Sequence, residues 1–160
     1  MMTFKQIADD LLSTVNQAQS LLEAIPDNKA SAKPQPGKWS PKEIIGHLLD
    51  SASNNHQRFV RGTLQGELTF PGYSQEPFVQ LQQPNEARWE LLVRLWESYN
   101  RYLAHVIARL PESAGEVSCA IGNNLPATLR FIAEDYVAHL KHHLNQILGQ
   151  RFKTAYGAKA

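Results

Sequence analysis

Residues 135–147 read DYVAHLKHHLNQI and decide the fold class, because apolar residues return in them at three- and four-residue steps. The pattern extends from Pro126 to just before Gly149 and predicts an amphipathic helix. Its apolar stripe consists of Leu129, Ile132, Ala133, Leu140, Leu144 and Ile147. His139 and His143 lie beside this stripe on one face, four residues apart. Such a pair can share one metal ion, or it can be a partly buried pair bonded to backbone carbonyls or a carboxylate.

A second helix has the clearest start in the chain. Ser40, Pro41 and Glu43 predict a capping box, in which the Ser40 hydroxyl accepts from a backbone N–H and Glu43 reaches back to the cap. Apolar residues then return at helical spacing, and glycines predict an end at residues 61–66. The stripe of this helix consists of Ile45, Leu48, Leu49, Ala52 and Phe59.

Two further helices complete the pattern, one from about Thr3 to Ile25 and one from near Pro84 to about Leu110. Four amphipathic helices with long connections between them predict an all-α four-helix bundle with crossover connections. Residues 67–83 contain prolines, a glycine and aromatic side chains, so we expect an irregular crossover loop there.

The other connections are predicted from turn residues. Residues 112–125 could close a short hairpin around the sequence Gly-Asn-Asn at residues 122–124. Residues 1–150 are predicted to form a single bundle domain, and residues 151–160 a frayed C-terminal tail.

Composition excludes several classes of function. The 160 residues carry a formal net charge of +1, which argues against a nucleic-acid partner bound through general electrostatics. Cys119 is the single cysteine, so neither an internal disulfide framework nor a cysteine-rich metal site is expected. No run of about 18 apolar residues is present, so no membrane association is expected. A single thiol and the absence of a signal-peptide pattern predict a cytoplasmic protein.

His47, near the start of the second helix, is a candidate third metal ligand. By helical spacing it is followed by Ser51, Asn54 and Arg58, a polar line that is either a solvated face or the lining of a groove. The helical wheel places His47 away from the centre of the apolar stripe, which favours the solvated face. Three neutral imidazoles would hold Zn²⁺, Ni²⁺ or Fe²⁺ and leave coordination positions open.

Residues 39–50, WSPKEIIGHLLD, and residues 135–147 together resemble the second-helix and last-helix motifs of the DinB-like superfamily, which includes YfiT-type proteins. The resemblance covers nearly the whole chain. It implies a homodimeric four-helix bundle in which His47, His139 and His143 hold one divalent metal ion. It also implies a range of activities, because the superfamily includes bacterial S-transferases that use low-molecular-weight thiols such as bacillithiol.

These considerations lead to three hypotheses of function. The first is a metal-dependent S-transferase that joins a low-molecular-weight thiol to a small electrophilic substrate. The second is a metal-dependent hydrolase, in which Asp135 acts as a base or orients a histidine. The third is a dimeric stress or binding protein without catalysis. Asp135, Asn54, Arg58, Tyr73 and Tyr99 are the pocket candidates, being polar or aromatic and near the proposed site, and Arg58 would bind a cofactor carboxylate.

Overall fold

Four long helices form the fold of the protein, described here for residues 1–156 from a computed structural model. They are α1 (Phe4–Glu23), α3 (Pro41–Gln65), α5 (Trp89–Ile107) and α6 (Leu129–Leu148). The predicted all-α four-helix bundle is confirmed. None of the helices in residues 1–156 is long and apolar enough to cross a membrane.

Shorter elements occupy the connections. Two short α-helices are α2 (Asp27–Ala30) and α4 (Gln75–Gln82), and two 3₁₀ turns span Pro84–Glu86 and Glu112–Glu116. Three short strands are β1 (Glu67–Phe70), β2 (Ser118–Ile121) and β3 (Ala127–Thr128).

Capping interactions set where the long helices begin. The Ser40 hydroxyl accepts from the backbone N–H of Glu43, and the Glu43 carboxylate accepts from the backbone N–H of Ser40, which is the predicted capping box. Thr3 and Gln6 form the same motif at α1. The second helix ends at Gly66, whose φ of 74° is a left-handed conformation that glycine adopts without strain.

The apolar stripes of the long helices meet in one core. Helix α5 packs between α1 and α3, and α6 packs against α1 and α3. Trp96 and Tyr136 are among the largest fully buried side chains, and the Tyr136 hydroxyl donates to Asn100 within the core. This packing places one flank of α3 directly against α6, which is where the predicted metal ligands lie.

The prediction of an irregular loop at residues 67–83 was wrong. This segment contains β1 and α4, and β1 pairs in parallel with β2, with Leu68 opposite Cys119. A hairpin before the last helix is present, because β2 pairs antiparallel with β3, but β3 lies beyond the predicted bounds of residues 112–125. The last helix was expected to begin at Pro126, and it begins at Leu129. Strand β1 has only four residues and one fully buried side chain, too little for an alternating pattern to stand out in the sequence.

The tail also differs from its prediction. Residues 151–156 form no helix or strand, but they pack back on α6 instead of fraying. Phe152 is buried, and the Asn145 side chain bonds both its backbone N–H and its carbonyl. The Thr154 hydroxyl donates to the carbonyl of Ala138. Residues 157–160 of the predicted tail lie outside the described residues.

Replacing Asn145 by alanine should release this tail from α6. The variant loses three hydrogen bonds from a buried side chain to the backbone of Arg151 and Phe152, so we expect a loss of about 1–3 kcal/mol in the free energy of unfolding. Urea unfolding measures this, with Gln80→Ala on the exposed face of α4 as the control, expected within about 0.5 kcal/mol of the parent. Equal stability of the two variants would contradict the proposed anchoring.

Candidate metal centre

Three imidazoles converge where α3 packs on α6. His47 comes from α3, and His139 and His143 come from successive turns of α6. A ring nitrogen of each lies within 4.8 Å of a ring nitrogen of both others. The Nε2 atoms of His47 and His139 are 3.0 Å apart. All three side chains are buried, so they form a compact cluster shielded from bulk solvent.

The position of His47 resolves the two interpretations of the polar line on α3. His47 and Ser51 are both buried, so the solvated-face interpretation was wrong there. A single-helix wheel locates the apolar stripe of α3 but not its neighbours, and α3 contacts both α5 and α6. The flank that carries His47 therefore lies against α6, where the polar line becomes the wall of a groove.

Hydrogen bonds on the far side of two rings orient them toward the centre of the cluster. The Gln146 side-chain oxygen lies 2.9 Å from Nδ1 of His143, so this Nδ1 carries the proton and donates. The Ser51 hydroxyl lies 3.4 Å from Nδ1 of His139. Partners of this kind fix the tautomer of a metal-binding histidine and leave its Nε2 lone pair free.

Burial keeps all three rings neutral. Loss of hydration, reinforced by the neighbouring His143, lowers the pKa of His47 to about 4. Burial, reinforced by the neighbouring His143 and His47, lowers the pKa of His139 to about 2. Burial also lowers the pKa of His143. At neutral pH the rings therefore offer lone pairs without first losing a proton.

The cluster fits one divalent ion by its donor chemistry. Three neutral imidazoles are a nitrogen donor set that suits Zn²⁺, Ni²⁺ or Fe²⁺. A set of only three protein ligands leaves room for a further ligand, as in reactive metal sites. Nδ1 of His47 is buried and has no partner in the described part of the chain, so this ring, unlike the other two, has no hydrogen bond on its far side.

Two aromatic side chains pack against different histidines of the cluster. The ring of Trp39, just before α3, lies 5.1 Å from that of His47 and 6.3 Å from that of His143. The ring of Tyr156, in the packed tail, lies 5.0 Å from that of His139. Neither residue was predicted to belong to the site. Tyr156 gave no sequence signal, because its position depends on how the tail folds back.

A cavity of about 370 Å³ opens beside His139. Three of the predicted pocket residues line it, namely Arg58, Tyr73 and Asp135. Burial raises the pKa of Tyr73 to about 12, with the nearby Asp50 adding to the shift, so its phenol stays protonated. Partial desolvation raises the pKa of the Asp135 carboxyl, although the residue is exposed at the mouth of the cavity.

The other two predicted pocket residues do not line this cavity. The Asn54 amide donates to the backbone carbonyl of Asp50, and Asn55 takes the expected place on the cavity wall. Successive residues of a helix differ by about 100° of rotation about its axis, which is enough to turn a side chain away from a cavity. The Tyr99 hydroxyl instead lies 3.1 Å from Nδ1 of His56, between α5 and α3.

A second cavity, of about 450 Å³, meets the cluster from the side of His143. Trp39, Lys38, Glu76 and Gln146 are among the residues that line it. No lining residue is shared with the first cavity, which meets the cluster at His139. Among the described residues, each cavity is therefore lined by a different histidine of the cluster, and His47 lines neither.

Comparison with known proteins identifies the family of the chain and supports its fold. The family model described as the DinB superfamily matches residues 11–147. The chain belongs to the DinB superfamily. A "putative metal-dependent hydrolase" of Oceanobacillus iheyensis is 24% identical over 144 residues, which cover 84% of this chain and 81% of that protein.

A solved structure has the same fold. It is YfiT from Bacillus subtilis, described as "a probable metal-dependent hydrolase with an unusual four-helix bundle topology". The TM-score is 0.76 at 18% identity, over 92% of this chain and 85% of YfiT. At this identity the likeness establishes the fold alone.

The stability of the metal-free protein should depend on pH through the buried histidines. Their pKa values are lower in the folded chain than the usual value of about 6.5, so the unfolded chain binds more protons between about pH 4 and pH 6.5. The free energy of unfolding should therefore rise with pH in this window and level off above it.

Urea unfolding of chelator-treated protein across this window measures the effect. The variant His47→Gln should show a shallower rise than the parent, because one of the low-pKa rings is gone. The exposed His105 is the control, and His105→Gln should keep the parent slope. Identical slopes for the parent and His47→Gln would contradict the neutral state assigned to the cluster.

Proposed function

We propose that the protein is a metal-dependent S-transferase that joins a low-molecular-weight thiol to a small electrophile. His47, His139 and His143 would hold one divalent ion, zinc, nickel or iron. When bound, such an ion acts as a Lewis acid and makes a thiolate available at neutral pH, where a free thiol with a pKa of about 8.5 is mostly protonated.

The proposal rests on two separate cavities, each of which meets a different histidine of the cluster. A transfer between two molecules needs space for both next to the reacting atoms. The cavities of about 370 and 450 Å³ lie within the range of small-molecule sites and meet different histidines, His139 and His143. The thiol would enter from one side and the electrophile from the other.

The protein's own side chains would supply the proton handling and the enclosure. Asp135 lines the same cavity as His139, and its raised pKa suits a carboxylate that accepts the proton a thiol gives up. Trp39 and Tyr156 cover the rings of the cluster and limit the access of water to them. The sulfur would form its new bond to carbon as the leaving group departs from the same carbon.

Hydrolysis is a second candidate, and a specific observation favours it. Water needs no second cavity, and Asp135 beside His139 is placed to act as its base. Both similar proteins described above carry the word hydrolase in their names. The two candidates differ in whether a thiol is consumed.

Metal content and thiol dependence, measured together, test the proposal. Protein loaded with zinc, nickel or iron should retain about one ion per chain by mass spectrometry, and His143→Ala should retain little. With monobromobimane as the electrophile, the loaded parent should accelerate consumption of bacillithiol or cysteine, and His143→Ala should lose about 10–100-fold or more of this rate. His105→Ala, an exposed histidine outside the cluster, should match the parent.

Two outcomes would contradict S-transfer. Cleavage of p-nitrophenyl acetate that needs the metal but no thiol, without acceleration of bimane labelling, would favour hydrolysis. A parent that retains no metal after loading would remove the chemical basis of both candidates.

A further inference from the structure

Arg58, on the wall of the first cavity, is a cation that has no acidic partner within residues 1–156. We propose that its guanidinium binds the carboxylate of a small organic acid, and that the polar face of α3 sets the distance from this carboxylate to the histidine cluster. The substrate class of the S-transferase site would then be an organic acid or a thiol that carries a carboxylate. Which end of that molecule reacts at the histidine cluster rests on the proposed function.

The surroundings of Arg58 differ from those of other half-buried or buried arginines in the chain. Arg130 and Arg101 each form an ion pair, with Glu112 and Glu97 respectively. No carboxylate in residues 1–156 lies within ion-pair distance of Arg58.

Arg58 contacts only neutral groups among the described residues, and these contacts leave some of its guanidinium N–H donors without a partner. One terminal nitrogen donates to the Asn55 side-chain oxygen at 3.2 Å, and the guanidinium lies 5.5 Å from the ring centre of Phe70. Its Nε is buried and has no hydrogen-bond partner among the described residues. Burial lowers the pKa of Arg58, as expected for a cation that has lost water without gaining an anion. A guanidinium in this state is suited to a carboxylate, which it can bind through two parallel hydrogen bonds.

The charges around the cavity favour a carboxylate over a phosphate ester. Arg58 is the one lysine or arginine among the described residues that line it. Asp135 lines the same cavity and adds a negative charge when ionised. A singly charged carboxylate balances one guanidinium, whereas a doubly charged phosphate would keep an unbalanced charge and face the repulsion of Asp135.

The spacing along α3 gives the expected length of the ligand. Ser51, Asn55 and Arg58 all line the cavity, and Ser51 contacts Nδ1 of His139. Arg58 is seven positions after Ser51, which is a rise of about 10 Å along the helix axis. The Arg58 side chain reaches back toward Ser51, because one of its terminal nitrogens bonds the Asn55 side chain. A ligand with its carboxylate on Arg58 therefore needs a chain of at most about 10 Å to place atoms next to the cluster.

Calorimetric titration of the metal-loaded full chain with paired probes tests this inference. The pairs are octanoate with octanamide, and mercaptooctanoate with mercaptooctanol, so that each pair differs in the carboxylate alone. Octyl phosphate tests the choice of anion. In the parent we expect each carboxylate to bind about ten-fold or more tightly than its neutral partner, because a charge-assisted hydrogen bond contributes at least that much.

Variants of Arg58 should change the ratio of the affinity for a carboxylate probe to the affinity for its neutral partner, and little else. Arg58→Gln should bring the ratio close to one, and Arg58→Lys, which keeps the charge but loses the fork, should leave it intermediate. Arg61→Gln removes the same charge from an exposed position on α3 outside the cavity and should keep the parent ratio. Circular dichroism verifies that each variant is folded, and the lysine variant keeps the test decisive if the glutamine variant is not.

The inference is overturned by equal ratios in the parent and Arg58→Gln, by no binding of either carboxylate to the parent, or by tighter binding of octyl phosphate than of octanoate. The proposed function is tested separately in the same titrations. It predicts that mercaptooctanol binds more tightly than octanamide only when the metal is present. If this difference is absent, the proposed function fails. The ratio of carboxylate to neutral-probe affinity, and with it the assignment to Arg58, is unaffected.

Discussion

The structure depends on the burial of three neutral imidazoles between two packed helices. Each ring loses hydration when α3 packs on α6, and that loss is what lowers the pKa values of His47 and His139 so far. Buried polar groups with convergent lone pairs are poorly compensated by the protein itself. A divalent cation would satisfy such a cluster, and its ligands would be in place as a consequence of how α3 packs on α6.

Helix α3 connects the fold to the specificity of the site. Its first turns are held by the capping box, its apolar stripe lies in the core, and its polar flank carries His47, Ser51, Asn55 and Arg58 in order. Because these positions lie on one helix, the spacing between the backbone of His47 and that of Arg58 is set by helix geometry and not by loop conformation. Helix α6 supplies the other two histidines and Asp135, which lines the same cavity as Arg58.

The sequence predicted the features that repeat or that follow local rules. Helical periodicity, the Ser40 capping box and the spacing of His139 and His143 are all local, and the structure agrees with each. The features that were missed depend on how elements meet. The burial of His47 required knowing that α6 lies against its flank, and Tyr156 required knowing that the tail folds back.

The exchange of Asn54 for Asn55 has a different cause. Adjacent helical positions differ by about 100° of rotation, so a small error in the assumed direction of the cavity selects the wrong residue. The prediction of Arg58 and Asp135 was less sensitive to this error, since a long side chain reaches a cavity from a wider range of angles and the Asp135 carboxyl lies at the cavity mouth. Tyr73 lies in the loop between β1 and α4, so helical rotation does not determine its direction.

The most direct test of the account is a crystal structure of the zinc-loaded protein with anomalous data at the zinc edge. We expect a single strong peak per chain, bonded to Nε2 of His47, His139 and His143 at about 2.0–2.1 Å and with a further position open to the cavities. No peak at the cluster, or an ion held elsewhere while the three rings keep only hydrogen bonds to one another, would contradict it.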